Sequence, residues 1–285
     1  MKPSAFAYAR PRALEEAFAL LEQHGDDARL LAGGQSLIAS LNMRLAAPAI
    51  LVDIGAIPGL CDIAVKGKTL VIGACTTHRA IERSEAVARH APLLAQAAPH
   101  IAHVAIRNAG TLGGSLAMAD PAAEWPACCV ALEATIVAAS KKGERRIAAG
   151  EFFKDLYTTA LGAGELITAV EIPCAAQGER HAFLELVRRR GDYAIVGLAA
   201  RARVAGGTLA GVRLVYLGVG TTPVLAKGAM AALEGKPAGD AAVRAAQAAL
   251  DGELSPGADL TTSAEAKRHM ARVLLARAAA ALAAD

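Results

Sequence analysis

Two short glycine-rich segments constrain this chain most: Ala32-Gly33-Gly34-Gln35-Ser36 and Gly110-Thr111-Leu112-Gly113-Gly114-Ser115. Glycine adopts positive φ without strain and has no Cβ, so successive backbone N–H groups can converge on one point. A strand leading into such a loop and a helix leading out is the geometry of an anion nest. Ser36, Thr111 and Ser115 add hydroxyl donors. The plainer reading is that each Gly-Gly pair is only a tight turn, glycine being the default turn residue. Two such loops flanked by apolar segments point to a pair of nests in an α/β region, suited to a diphosphate. The usual dinucleotide signatures are absent: there is no G-x-G-x-x-G and no glycine-rich loop ending in Lys-Ser/Thr.

The flanking segments agree. Leu14, Ala17, Phe18 and Leu21 recur at helical spacing, which predicts a helix over about 12–24 stopped by Gly25. Residues 29–32 read as a strand, 37–44 as a helix broken by Pro48, and 50–54 as a second strand. Further on, 69–74 reads as a strand, 77–83 and 85–98 as helices, and 133–140 and 165–172 as strands, with Lys141-Lys142-Gly143 as turn residues between them. Residues 173–178 form a boundary. Beyond it, 183–187, 194–204 and 212–219 are strand-like, with a hairpin turn at Gly206-Gly207. Helices over about 240–251 and 263–283 close the chain, the second opened by a capping box of Thr262 with Glu265. The expected division is 1–55, 56–177 and 178–285.

Composition narrows the function classes. In 285 residues, Lys+Arg 30 stand against Asp+Glu 27, a net charge of +3, which announces no nucleic-acid or membrane patch. No apolar run is long enough for a transmembrane helix, and the N-terminus lacks a signal-peptide pattern, so a cytoplasmic protein is expected. Five irregularly spaced cysteines give no disulfide framework, and without Cys-x-x-Cys the chain alone is not expected to hold an iron–sulfur cluster or structural zinc. Cys128, Cys129 and Trp125 read as core.

Ala32 to Leu37 together with Ile106-Arg107-Asn108-Ala109-Gly110-Thr111-Leu112-Gly113-Gly114-Ser115 resembles the FAD-binding medium subunit of the molybdenum hydroxylases, in the carbon monoxide dehydrogenase branch related to the xanthine dehydrogenase flavin domain. The resemblance extends through Tyr8-Ala9-Arg10-Pro11, Val52-Asp53-Ile54, Ile57-Pro58-Gly59-Leu60, Thr76-Thr77-His78, Asp120-Pro121-Ala122-Ala123-Glu124 and Val170-Glu171-Ile172-Pro173. It continues through 188–194 and Gly218-Val219-Gly220-Thr221-Thr222-Pro223. It implies an α+β fold: a two-part FAD-binding domain of the vanillyl-alcohol-oxidase/PCMH type and a C-terminal domain of antiparallel sheet with helices. It also implies that Ala32, Gly33, Gly34, Gln35, Ser36 and Leu37, with Ile106, Gly110, Thr111, Gly113, Gly114 and Ser115, surround the FAD diphosphate. Asp120 would contact the cofactor, and Glu124 would lie near its ribose-adenine part. Leu166 or Ile167 would offer backbone groups to the flavin's polar edge, and Asp192 and Tyr193 would lie beside the isoalloxazine, the Tyr ring covering one face. The implied partners are a large molybdenum-cofactor subunit and a small subunit with two [2Fe-2S] clusters, in a heterotrimer that dimerises. The implied acceptor is a quinone, NAD or oxygen.

Two positions depart from that pattern. Leu184-Glu185-Leu186 stands where many relatives carry a lysine, leaving Arg188 as a substitute cation, and Ala266 replaces an aromatic in the last helix. The benzoyl-CoA reductase branch's four-cysteine insertion is missing. Other candidates weigh less: His100 and His103 lack a third metal ligand, and His78 is either near the flavin or a cap. Asp120 and Glu124 favour cofactor contact over acid–base work, Lys141-Lys142 and Arg145-Arg146 read as a solvated hairpin tip, and Arg188-Arg189-Arg190 has an inward face if it forms a strand. No side chain is expected to act as nucleophile or base. The alternatives are a self-contained FAD-dependent oxidoreductase of the same fold, with His78 or Tyr193 as base, and a non-flavin scaffold.

Overall fold

A computed structural model of the chain describes residues 2–284. The N-terminal part is a small parallel α/β unit. It runs β1 (Ala7–Ala9), α1 (Leu14–His24), β2 (Ala28–Leu31), α2 (Leu37–Asn42) and β3 (Ile50–Asp53). The strands form a parallel sheet in the order β1-β3-β2. β3, in the middle, is apolar at Ile50, Leu51 and Val52, all buried, as a strand covered on both faces must be. Gly34, at φ 71°, turns the chain from β2 toward α2.

The second part comprises β4 (Ile63–Lys66), β5 (Thr69–Gly73), α3 (His78–Arg83), α4 (Glu85–His90), α5 (Pro92–Ala97), α6 (Val104–Arg107), α7 (Leu112–Met118) and α8 (Glu124–Ala131). It continues through β6 (Thr135–Ser140), β7 (Gly143–Ala148), α9 (Ala149–Phe152), β8 (Phe153–Asp155), β9 (Thr158–Thr159) and β10 (Leu166–Pro173). Its main sheet is antiparallel, in the order β4-β5-β10-β6-β7. The expected helix over 85–98 is two helices, because Pro92 cannot continue α4 and instead starts α5. The expected strand at 133 begins at Thr135, since Glu133 sits at φ 53°. The Lys141-Lys142 turn leads not to 165–172 but to β7, an edge strand that sequence pattern hides. Its residues are exposed except Ile147, and Arg145 and Arg146 pair with Glu165, Glu144 and Glu171, the charged edge that discourages further pairing.

The third part has β11 (Glu179–Leu186), β12 (Val196–Ala205), β13 (Thr208–Leu217), β14 (Val224–Leu225), α10 (Lys227–Leu233), α11 (Asp240–Glu253) and α12 (Ala264–Ala283). The sheet is an antiparallel meander in chain order. Gly206 and Gly207, both at positive φ, make the β12–β13 turn. One face packs on the helices of the second part through Phe183, Ala199, Val215 and Leu217. The other packs on α10 to α12 through Leu198, Leu214 and Tyr216, whose hydroxyl donates to Ala271 O. Burial on both faces explains the unbroken apolar run at Val196–Ala200. α12 begins one residue later than the expected capping box. Ser263, not Thr262, is the N-cap, accepting from Ala266 N–H, while Thr262 N–H is held by Asp259. The Arg188-Arg189-Arg190 run is not a strand: β11 ends at Leu186 and the three arginines are exposed.

Candidate functional site

The two glycine loops touch. A Cβ on Gly33 would lie 2.2 Å from Ala109 O and 2.7 Å from Gly110 Cα, and one on Gly114 would lie 3.8 Å from Ala32 Cβ. Only glycine permits an approach this close at Gly33. On the first loop, the amides of Gly34, Gln35 and Ser36 donate to no protein acceptor among the described residues. Gln35 folds its side-chain amide back onto Gly33 O, and Ser36 is exposed. Leu37 opens α2 and is half-buried. Three successive undonated amides beside a second loop are available to an anion, which fits a diphosphate.

The second loop differs from the expectation of a second nest. Four of its amides are already spent within the protein: Leu112 N–H on Thr76 O, Gly113 N–H on Ala74 O, Gly114 N–H on Thr111 Oγ1 and Ser115 N–H on Thr111 O. Its glycines serve close packing instead. A Cβ on Gly113 would lie 2.6 Å from Ala74 Cβ, and one on Gly110 would lie 2.7 Å from His78 Nε2. This loop offers shape and the Thr111 and Ser115 hydroxyls. Ile106 O closes the turn before it, accepting from Gly110 N–H at 2.7 Å.

A buried brace holds the second loop in place. His78 is buried, its N–H donates to Gly110 O, and its Nδ1 accepts from Trp125 Nε1 at 2.9 Å. That bond places the proton of the neutral ring on Nε2. Burial and then the Arg107 charge lower the His78 pKa to about 4, so the ring is neutral at physiological pH. Arg107, also buried, donates to Ile101 O, Ala102 O and Glu82 Oε2. His78 is thus a structural support behind the loop.

α7 leads from the glycine cradle to a second cluster. Its seven residues span about 10 Å. Beyond it, Asp120 forms an Asx turn by accepting from Ala122 N–H, and Pro121 O accepts from Gly218 N–H of the third part. Glu124 opens α8 and is buried. Burial, then Glu185 and Asp120, push its carboxyl up to about 8. Tyr193 is 71% exposed; partial burial and the nearby Asp120, Tyr157 and Glu124 raise its phenol pKa. Tyr157 is likewise exposed and raised, by Asp120 and then burial. Asp120, Glu124, Tyr157 and Tyr193 therefore form one neighbourhood of two carboxyls and two exposed phenol rings. An aromatic plane free on one face suits stacking against a flat heterocycle.

Asp192 is exposed on the Tyr193 loop. That loop rests on the Ala102–His103 segment, where a Cβ on Gly191 would lie 2.8 Å from His103 Nδ1. Leu166 and Ile167 are buried at the start of β10. β10 pairs with β5 only from Ala169 onward, after a register shift, so no β5 residue pairs with Leu166 or Ile167. His100 turns to Glu185 rather than to His103. Sequence reading missed Tyr157, which carries no signal beyond an aromatic in a polar turn at φ 53°. It also missed Glu185 as a buried acid, although an acid at alternating register with Phe183 marks a core-facing position.

A cavity of about 380 Å³ lies away from both clusters, lined by Arg201, Arg203, Arg213, Glu133 and Glu179. It contains none of the expected site residues.

Comparison with known proteins identifies the architecture. Residues 4–175 match the FAD binding domain in molybdopterin dehydrogenase, and residues 181–282 match the CO dehydrogenase flavoprotein C-terminal domain. The carbon monoxide dehydrogenase medium chain of Hydrogenophaga pseudoflava is 38% identical over 278 residues, covering 98% of this chain and 97% of that one. The 6-hydroxypseudooxynicotine dehydrogenase complex subunit alpha of Paenarthrobacter nicotinovorans is 43% identical over 225 residues, 79% of this chain and 76% of that one. The solved carbon monoxide dehydrogenase of Hydrogenophaga pseudoflava superposes with a TM-score of 0.96 at 40% identity, covering 99% of this chain and 98% of that one. No described helix is long and apolar enough to cross a membrane. With both domains matched and both glycine loops in contact, the chain belongs to the FAD-binding medium subunits of the molybdenum hydroxylases, oxidoreductase subunits whose cofactor is FAD.

Proposed function

We propose that this chain is the electron-transfer subunit of a three-component molybdenum hydroxylase. It takes electrons singly from the [2Fe-2S] clusters of a small partner subunit and passes them through FAD to an external acceptor such as a quinone, NAD or oxygen. A large molybdenum-cofactor subunit oxidises the substrate with water, and the heterotrimer dimerises. Bound FAD supplies the ability to handle both one- and two-electron steps; this chain supplies position and electrostatics. The observation that carries the reading is the interlock at Gly33, which sets three undonated amides, Gly34 to Ser36, beside the second loop.

In this reading Ala32 to Leu37 bind the diphosphate through backbone N–H groups. Ile106, Gly110, Thr111, Gly113, Gly114 and Ser115 form the opposing wall. Asp120 and Glu124 hold polar groups of the cofactor, Leu166 or Ile167 presents backbone groups to the ring edge, and Asp192 and Tyr193 flank the ring, joined by Tyr157. The working division is 1–55 and 56–177 for the two FAD-binding subdomains and 178–285 for the C-terminal domain. Five unpaired cysteines suit a reducing compartment, the cytoplasm.

The test is an absorption spectrum of the protein purified with its neighbouring subunits, with released cofactor identified by chromatography. About one FAD per chain, bleached when the complex meets its reducing substrate, supports the proposal. FAD reduced by an organic substrate in the isolated chain favours the self-contained oxidoreductase, and no FAD in the assembled complex refutes both.

A further inference from the structure

Two like charges face each other on the third sheet. Arg201 of β12 stands directly opposite Arg213 of β13, a pairing that repels. Their side chains are 15% and 20% exposed, so solvent screens that repulsion only in part. One carboxylate, Glu133 of the second part, serves both. It accepts from Arg201 Nη2 and, at 3.0 Å, from Arg213 Nη1. Arg213 Nη2 donates to Val130 O. Arg201 Nη1 lies 3.5 Å from Glu179, which His181 already holds at 2.9 Å. The Nε of each guanidinium is buried without a hydrogen-bond partner, and these are two of the three such side-chain atoms among the described residues. Burial first, and Arg201 besides, lower the Arg213 pKa, and Glu133 offsets them only in part. The guanidinium pair is short of both negative charge and acceptors, a condition that costs free energy until something supplies them.

The cavity of about 380 Å³ lies against this pair. The β12–β13 ladder slips between Arg201 and Arg203, which sets Gly211 and Val212 of β13 against Ala202, and all three line the cavity. A bulge of this kind interrupts pairing and re-aims side chains. Arg203 brings a third guanidinium to the cavity. It is exposed, and it has no hydrogen bond or ion pair among the described residues. Three arginines against two glutamates leave the lining at +1. Ala176, Val212 and Met230 supply an apolar wall. The volume falls within the range of small-molecule pockets, about 300–1,000 Å³, and exceeds what a bare inorganic ion fills.

We propose that this cavity binds a small organic carboxylate, its head on the arginines and its apolar body against Val212 and Met230. A planar carboxylate matches the guanidinium fork, and its single negative charge matches the net charge of the lining. The apolar wall favours an organic body over a free ion. None of the residues assigned to the cofactor lines this cavity, so the site stands independently of the electron-transfer reading.

The test titrates butyrate into the complex purified with its neighbouring subunits, at low salt and neutral pH. Saturation-transfer NMR on the butyrate methyl group reads binding, and butyramide is the uncharged isostere. Butyrate should saturate, and butyramide should bind about tenfold more weakly or worse. Arg203→Gln, an exposed change that leaves the fold intact, should weaken butyrate about tenfold, the scale of one lost charge-assisted contact. Glu133→Gln should act in the opposite direction. It removes the carboxylate that competes for Arg201 and Arg213, so butyrate should bind several-fold more tightly, a gain that about 0.5 M salt abolishes. An ion-pair network with no ligand predicts no such gain. FAD content should match wild type in both variants. No saturable butyrate binding, equal binding of butyramide, or an affinity that neither substitution changes overturns the proposal. Inorganic phosphate binding as tightly as butyrate overturns the carboxylate assignment.

Discussion

Replacing Gly33 with alanine should separate the two glycine loops. The new Cβ would lie 2.2 Å from Ala109 O and 2.7 Å from Gly110 Cα. Non-bonded carbons settle at about 3.5–4.0 Å, so the loops must part by roughly 1 Å, judged against that spacing. Both obstructing atoms are backbone and cannot rotate aside. Overpacking of this kind costs about 1–3 kcal/mol, a fall in Tm of several degrees. The amides of Gly34 to Ser36 follow directly on the displaced loop. A shift of about 1 Å carries an ordinary hydrogen bond of about 2.9 Å beyond useful range. Losing one bond to a charged group removes about 1.5–3 kcal/mol, so FAD should bind about 10- to 150-fold more weakly. Fluorescence titration with FAD and thermal unfolding by circular dichroism measure both effects. Gly252→Ala is the control, because its Cβ enters open space on helix α11. A Gly33→Ala protein with wild-type Tm and FAD affinity would refute the interlock.

Gly114→Val should yield a folded protein without FAD: its Cβ clashes with Thr111 Oγ1, at 2.8 Å, and makes only ordinary contact with Ala32 Cβ, at 3.8 Å, so the cap is lost at about 0.5–2 kcal/mol while the cradle wall changes shape. Released-cofactor chromatography on the soluble variant checks it. His78 should make the protein acid-sensitive. Its folded pKa of about 4 lies below the usual 6.5, so the unfolded chain binds more protons between those values. Stability is therefore full above pH 6.5 and falls by roughly 3 kcal/mol as pH drops to 4. Glu124, raised to about 8, acts in the opposite sense, its contribution being full below about pH 4.5 and lost as pH rises to 8. Denaturant midpoints across pH should show the acid limb flattened in His78→Asn and the alkaline limb flattened in Glu124→Gln. Glu133→Ala should cost about 1 kcal/mol at low salt and little at high salt. Glu133 is 54% exposed, yet it bridges Arg201 and Arg213, which lie directly opposite each other on β12 and β13; urea titrations at two ionic strengths measure this.

Local chemistry made much of this structure legible. The glycine loops, the Gly206-Gly207 hairpin and the apolar strands of the third part follow from φ preference and burial alone. β7 stayed hidden because Gly143–Ala148 is a charged edge that buries only Ile147. α7 stayed hidden because Leu112–Met118 holds two glycines, and its helix is held by Thr111 and by the Ala74–Thr76 backbone. In the site, glycine spacing located both loops. That the second has no free amides from Leu112 to Ser115 depends on Ala74, Thr76 and Thr111, which no local pattern connects to it. Tyr157, in a turn at φ 53° between β8 and β9, reaches Asp120 through tertiary packing, which a single sequence does not display.

The contact between Gly33 and Ala109–Gly110 joins two units whose strands belong to different sheets. A ligand gripping both loops binds only the docked arrangement, so its binding free energy is added to docking, about 2.7 kcal/mol at a hundredfold excess over Kd. FAD in such a seam acts as a fastener as well as a carrier. Amide exchange in β1, β2 and β3 should then slow when the cofactor is bound, and a chain stripped of FAD should loosen first at its N-terminal unit.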